Sequence, residues 1–128
     1  MTLYKILCFL IILMILIGAA VFQHIYIINT SEELIALTGR INDLSHISDT
    51  KNIKENYALL KNTFQKNSRI YRALLDHSFI CDVNEQMYVL ENAIYLNNMS
   101  QISSCCANLE YTLICIYDLE TVTVDNIF

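Results

Sequence analysis

The chain contains no proline and no tryptophan, and its 128 residues include only two glycines, Gly18 and Gly39. Hairpins and α/β connections draw on proline and glycine for their turns, so this scarcity argues against sheet-based folds and for helices joined by short polar turns. Charge is missing from one end as well. No carboxylate occurs before Glu32 although the chain carries 13, and Lys5 is the one Lys or Arg before Arg40. Ile6 to Phe22 is consequently an unbroken apolar run, and after Gln23-His24 the apolar character resumes through Ile28. About twenty apolar residues cross the hydrocarbon core of a bilayer as a helix.

This pattern predicts a lipid-embedded anchor over residues 6–28. It divides the chain into a cytoplasmic stub and transmembrane anchor, 1–28, and an extracytoplasmic helical domain, 29–128. A cleaved signal peptide is the rival, because Gly18-Ala19-Ala20 offers small residues ahead of a cut after Ala20. An apolar signal core usually runs ~7–15 residues; this one is longer, continues past the cut with Val21-Phe22, and follows a single basic residue. Lys5 also sets the orientation, with the N-terminus expected in the cytoplasm and the chain crossing the cell membrane once. All the acidic residues then fall in the exported part of a chain with net charge −5. That balance argues against nucleic acid as a partner, and against the bundle lying on anionic lipid.

Of five cysteines, Cys8 lies in the anchor, while Cys81, Cys105, Cys106 and Cys115 lie where oxidation is feasible. Cys105 and Cys106 are adjacent and face different ways on a helix, and Cys115 sits among Leu113, Ile114 and Ile116 as a core residue would. Buried free thiols are expected, with one disulfide to Cys81 as the alternative. No C-x-x-C pair suggests a zinc ribbon or a thioredoxin-type site.

Beyond the anchor, Thr30 and Glu33 have capping-box spacing and precede Leu34, Leu37, Ile41 and Leu44, so a new helix is expected from Thr30 to a turn at Ser45–Thr50. A second stripe, Ile53, Tyr57, Leu60, Phe64 and Tyr71, predicts one helix over about 51–80, with Asn67 interrupting the stripe and either kinking the helix or setting its register. Val83, Met87, Leu90 and Ile94 are out of phase with that stripe, and Asp82 with Glu85 has capping-box spacing, so a further helix or a kinked continuation is expected from Asp82. After a turn at Tyr95–Ser100, a last helix carries Ile102, Cys106, Leu109, Leu113, Ile116 and Leu119 to about Thr121, followed by a tail, Val122–Phe128.

The segment LLDHSFICDVNE, Leu74 to Glu85, gathers the candidate functional residues. His77, Cys81 and Glu85 are spaced along one helical face, but His77 and Glu85 stand about 12 Å apart at 1.5 Å per residue, so at most His77 with Cys81 could share an ion. His46 is the only other exported histidine, and nothing places it nearby. The simpler reading is a helix junction. Asp76 and His77 close one helix, the imidazole gaining from its dipole, and Asp82 and Glu85 open the next, with His77 pairing a carboxylate across the gap. A contact surface for a partner, with His77 responsive to pH, is the other reading. Asp76, His77, Asp82 and Glu85 are therefore junction or interaction candidates; no catalytic, cofactor-binding or metal residue is assigned. G-x-S-x-G, H-E-x-x-H, phosphate-loop and EF-hand patterns are all absent, and a Cys81–His77 nucleophile would need an oxyanion hole.

A lone N-terminal membrane helix, aromatics at seven-residue spacing (Tyr57, Phe64, Tyr71), Leu75-Asp76-His77-Ser78 and a closing Asn126-Ile127-Phe128 together resemble the DUF4363 family of small proteins of Firmicutes, mostly clostridia. Family members favour tryptophan where this chain has Tyr57, Phe64 and Tyr71, and an acidic residue where Phe79 stands. The resemblance implies a membrane-anchored helical domain of unknown role, with DUF421 membrane proteins as possible genomic neighbours. The expected fold is all-α, a single transmembrane helix followed by an antiparallel bundle of three or four helices. The expected role is non-catalytic interaction or assembly, without a cofactor, through a membrane-protein partner or a homo-oligomer. An extracytoplasmic small-ligand or metal sensor is the alternative.

Overall fold

A computed structural model describes the backbone of residues 2–127 and the side chains of residues 2–119. The described residues form four helices: α1 (Thr2–His46), α2 (Thr50–Leu74), α3 (His77–Tyr95) and α4 (Met99–Ile127). Among the described residues α1 packs on α2 and α4, and α3 packs on the same two, so the helices form an up-down-up-down square with α1 and α3 on one diagonal.

The apolar stripes fill the centre of that square. Ile53, Tyr57, Leu60, Phe64 and Tyr71 of α2 are buried, as are Val83, Met87, Leu90 and Ile94 of α3, and Ile102, Cys106, Leu109, Leu113 and Ile116 of α4. The seven-residue aromatics lie along the core, with the Phe64 and Tyr71 rings tilted at 33° and their centroids 6.1 Å apart. Leu44 is half-buried and Leu119 exposed, at the two ends of their stripes.

Three boundaries differ from expectation. Thr30 does not cap a new helix, because α1 runs through it without a break. Its hydroxyl donates to the carbonyls of Tyr26 (2.8 Å) and Ile27 (3.2 Å), the back-bonding that lets threonine sit inside a helix. Ile27 and Ser31 continue the buried face of Leu34, Leu37 and Ile41 upstream, so packing favours helix across the proposed boundary.

The helix expected over 51–80 instead ends at Leu74, and its successor begins at His77 rather than Asp82. Leu75 is extended (φ −108°, ψ 158°) and Asp76 (φ −60°, ψ 137°) is the N-cap of α3, its carboxylate accepting the Ser78 N–H at 3.2 Å. Asp82 lies inside α3; the phase change is real but sits about two turns earlier, which lets Ile80 join the stripe. Finally, α4 continues past Thr121 to Ile127; Phe128, the end of the expected tail, lies outside the described residues.

Turns without glycine are made by Asx and Ser residues. Ser48 (φ 55°) and Asn97 (φ 53°) take the left-handed conformation. Asp49 caps α2 through the Asn52 N–H, and Asn98 accepts the Gln101 N–H at 3.2 Å at the start of α4. Replacing Leu90, which is wholly buried, by Ala is expected to cost about 2–5 kcal/mol, whereas Tyr88→Ala, at a 74% exposed position, stays within about 0.5 kcal/mol. Denaturant titration of the detergent-solubilised chain, followed by circular dichroism, measures both.

Candidate functional site

The four candidate residues divide between two places. Asp76 and His77 stand at the α2–α3 junction, while Asp82 and Glu85 face a groove between α3 and α4. At the junction the electrostatics are the reverse of those expected. Asp76 opens a helix instead of closing one, so its carboxylate meets the positive end of the α3 dipole and satisfies an otherwise unpaired N–H. His77 is the first residue of α3 and exposed, and its contact is with Cys81 rather than a carboxylate: Nε2 lies 3.4 Å from Sγ, one turn along the same face. Which atom donates follows the imidazole tautomer.

Glu85 continues that spacing one turn further along α3, where it borders the groove toward α4. With Asp82, Gln86, Val89, Cys105 and Asn108 it lines a groove of ≈ 210 Å³. Gln86 anchors the floor by donating to Thr112 Oγ1 at 2.9 Å, and its own Oε1 is buried without a partner. Among the described residues no three His, Cys, Asp or Glu side chains converge closely enough to hold a metal ion. Two carboxylates with one thiol along this groove therefore give a polar, negatively charged surface.

Polar residues inside the bundle join helices to each other, and most of these links escape sequence reading. Tyr26 donates to Asn67 Oδ1, and Asn67 Nδ2 donates to the Thr63 carbonyl at 2.8 Å, so Asn67 fastens α2 to α1 while α2 runs on unbroken. Its partner lies in the stretch assigned to the anchor, and no local pattern signals the pairing. Ser103 donates to Asn42 Oδ1 at 2.8 Å and does the same for α4 and α1 at the other end. Tyr57 donates to the Met87 carbonyl at 3.2 Å, between α2 and α3.

The Tyr71 hydroxyl is buried without a hydrogen-bond partner, beside a core cavity of ≈ 10 Å³ also lined by Ser31, Phe64 and Leu75, room for a single water at most. Burial pushes its phenol up to about 12, the Thr30 hydroxyl partly opposing, and burial reinforced by the Glu91 charge pushes Tyr57 up to about 12. Raised folded-state values mean that both tyrosines stabilise the fold fully below the ordinary tyrosine pKa of about 10, and that this contribution is lost as pH rises toward 12.

Every described cysteine is a free thiol, but burial is uneven: Cys105 and Cys106 are buried, Cys8 and Cys115 half-buried, and Cys81, near the start of α3, is exposed rather than buried. Burial, reinforced by the neighbouring Cys105 and Glu110, pushes Cys106 up to about 12. A thiol reagent at neutral pH is therefore expected to modify Cys81 in the folded chain and to reach Cys106 only after denaturation, with mass spectrometry locating the adducts. At the junction, Asp76→Ala is expected to cost about 0.5–2 kcal/mol as a lost cap. His77→Ala, at an exposed position, is expected to stay within about 0.5 kcal/mol; melting curves of the two variants separate the roles.

Neither the curated proteins nor the solved structures hold a significant match to this chain. A family model does match, over residues 21–127, and its description is a domain of unknown function, DUF4363. The match takes in all of the bundle and the last part of the apolar run, so this chain belongs to the DUF4363 family.

Proposed function

We propose that the chain is a single-pass membrane protein in which the apolar run Ile6–Phe22, inside the anchor expected over residues 6–28, spans the bilayer, and the remainder of α1, which already packs on the bundle through Tyr26 and Ile27, joins α2, α3 and α4 in a non-catalytic extracytoplasmic bundle for interaction or assembly. One observation carries this reading. The most apolar stretch of α1 is not covered by any other helix, and Leu3, Phe9, Met14, Ile15, Leu16 and Phe22 are exposed around its whole circumference. A helix apolar on every side and unburied by its own chain is stable where lipid or another apolar helix surrounds it. Partnership with another membrane protein, or with a second copy of this chain, is the natural use of a bundle fixed to such a span.

Asp82 and Glu85 in the open groove, together with the unpartnered Gln86 Oε1, favour a second reading: a bundle that binds a small cationic ligand or metal outside the membrane. Melting temperatures of the solubilised chain across zinc, calcium and magnesium titrations distinguish the two. A rise that grows with ion concentration supports the sensor reading, and unchanged melting with a specific protein crosslinked in native membranes supports assembly.

For the anchor, the expected outcome is a full-length chain that stays in the membrane fraction through alkaline carbonate washing and is released by detergent. A soluble mature chain beginning at Val21 would refute the assignment.

A further inference from the structure

The α2–α3 junction has a position that its sequence alone does not reveal. Tyr26 of α1 bonds to Asn67, and its ring centroid lies 6.3 Å from that of Tyr71, which aligns the C-terminal part of α2 with residue 26. Because α2 runs back along α1, Leu74-Leu75 lies about one turn, ~5 Å, nearer the N-terminus of α1, level with Phe22-Gln23. That is where the uninterrupted apolar run of α1 ends. Nothing lifts the bundle away from this level, since α1 is helical through residues 2–46 with no flexible linker between span and bundle.

The side chains presented there suit a lipid–water interface. Leu74, Leu75 and Phe79 pack against the core but stay half-exposed, and Ile70 is 41% exposed. Lys66, Arg69 and Arg72 stand exposed on the last turns of α2. Although the chain as a whole is acidic, no carboxylate occurs between Glu55 and Asp76, and the Asp76 carboxylate is engaged in its cap. The acidic balance that argued against contact with anionic lipid is thus an average: this face of α2 is cationic, while Asp82 and Asp118, at a similar height in the antiparallel bundle, are carried by α3 and α4. Headgroup layers add roughly 5–8 Å to each side of the hydrocarbon core. Arg72 and Arg69, within one to two turns above the junction, reach that depth while their aliphatic stems lie along apolar surface.

We infer that the membrane-proximal end of the bundle, built from Arg69, Arg72, Leu74, Leu75 and Phe79, seats in the headgroup layer of the bilayer that α1 spans, its cations on the phosphates of anionic phospholipids. This inference rests on the anchored reading of α1.

The absence of tryptophan makes the test direct. Ser78→Trp and Phe79→Trp each place one reporter at the junction, the first at an exposed position that leaves packing untouched, and Tyr95→Trp places one at the far end of α3. The full-length chains are reconstituted into vesicles of phosphatidylcholine, with or without phosphatidylglycerol, containing phospholipid brominated along its acyl chains. The junction reporters are expected to show blue-shifted emission, quenching by the bromolipid and protection from iodide. The Tyr95→Trp reporter is expected to show solvent-like emission and free quenching by iodide. Quenching at the junction is expected to increase with phosphatidylglycerol, and Arg69→Gln with Arg72→Gln to abolish that increase. Chains that float with the vesicles but respond to iodide equally at both ends overturn the seating and leave the anchor intact. So does junction quenching indifferent to both phosphatidylglycerol and the arginine changes, for the phosphate contacts. Chains that do not float overturn the anchored reading as well.

Discussion

Everything in this molecule depends on the packing of one face of α1, from Ile27 through Ser45, against α2 and α4. That face holds the bundle together, since among the described residues α1 and α3 meet only through their two shared neighbours. It also forbids a hinge. Because burial begins at Ile27, while apolar character upstream is interrupted only by Gln23-His24, no stretch of α1 is long and polar enough on all sides to be released as a linker. Lipid-compatible surface and protein-compatible surface are consecutive segments of one rod, and the three following helices are arranged against its second half.

Polar side chains then set the register that apolar packing alone leaves loose. Leucine and isoleucine stripes tolerate sliding by a turn, whereas Tyr26 with Asn67 at one end of α1 and Asn42 with Ser103 at the other permit one alignment each. Tyr57 with the Met87 carbonyl and Gln86 with Thr112 extend the same control to α3. These contacts need two helices in place before either member is satisfied, so they reward the assembled square and not its parts.

Legibility in the sequence followed the range of the interaction concerned. Helical stripes are local and strongly periodic, and each of Ile53, Tyr57, Leu60, Phe64, Val83, Met87, Leu90 and Leu109 is buried as its spacing indicated. Caps proved ambiguous because the same Ser/Thr/Asp and Glu spacing occurs in mid-helix. Thr30 and Asp82 had the right neighbours but lay on helices whose packing continued past them, whereas Asp76, the working cap, has no acidic or amide residue at the third position to advertise it. The separation of Asp76 and His77 from Asp82 and Glu85 could not be read at all: it depends on where α4 lies, and that is set by contacts distant in sequence. Family membership was legible from motif spacing along nearly the whole chain.

An unbroken α1 also has a mechanical consequence. From Gln23 to His46 the rod rises about 35 Å at 1.5 Å per residue, so with the span in a bilayer the turns at Ile47–Asp49 and Leu96–Asn98 stand that far above the membrane. With no joint in between, a change of about 10° in the tilt of the span, well within the range that transmembrane helices adopt, swings those tips sideways by roughly 6 Å. In the anchored reading proposed above, the distal turns act as the end of a lever whose other arm lies in lipid, and a partner gripping the span beneath the surface is felt at the top of the bundle.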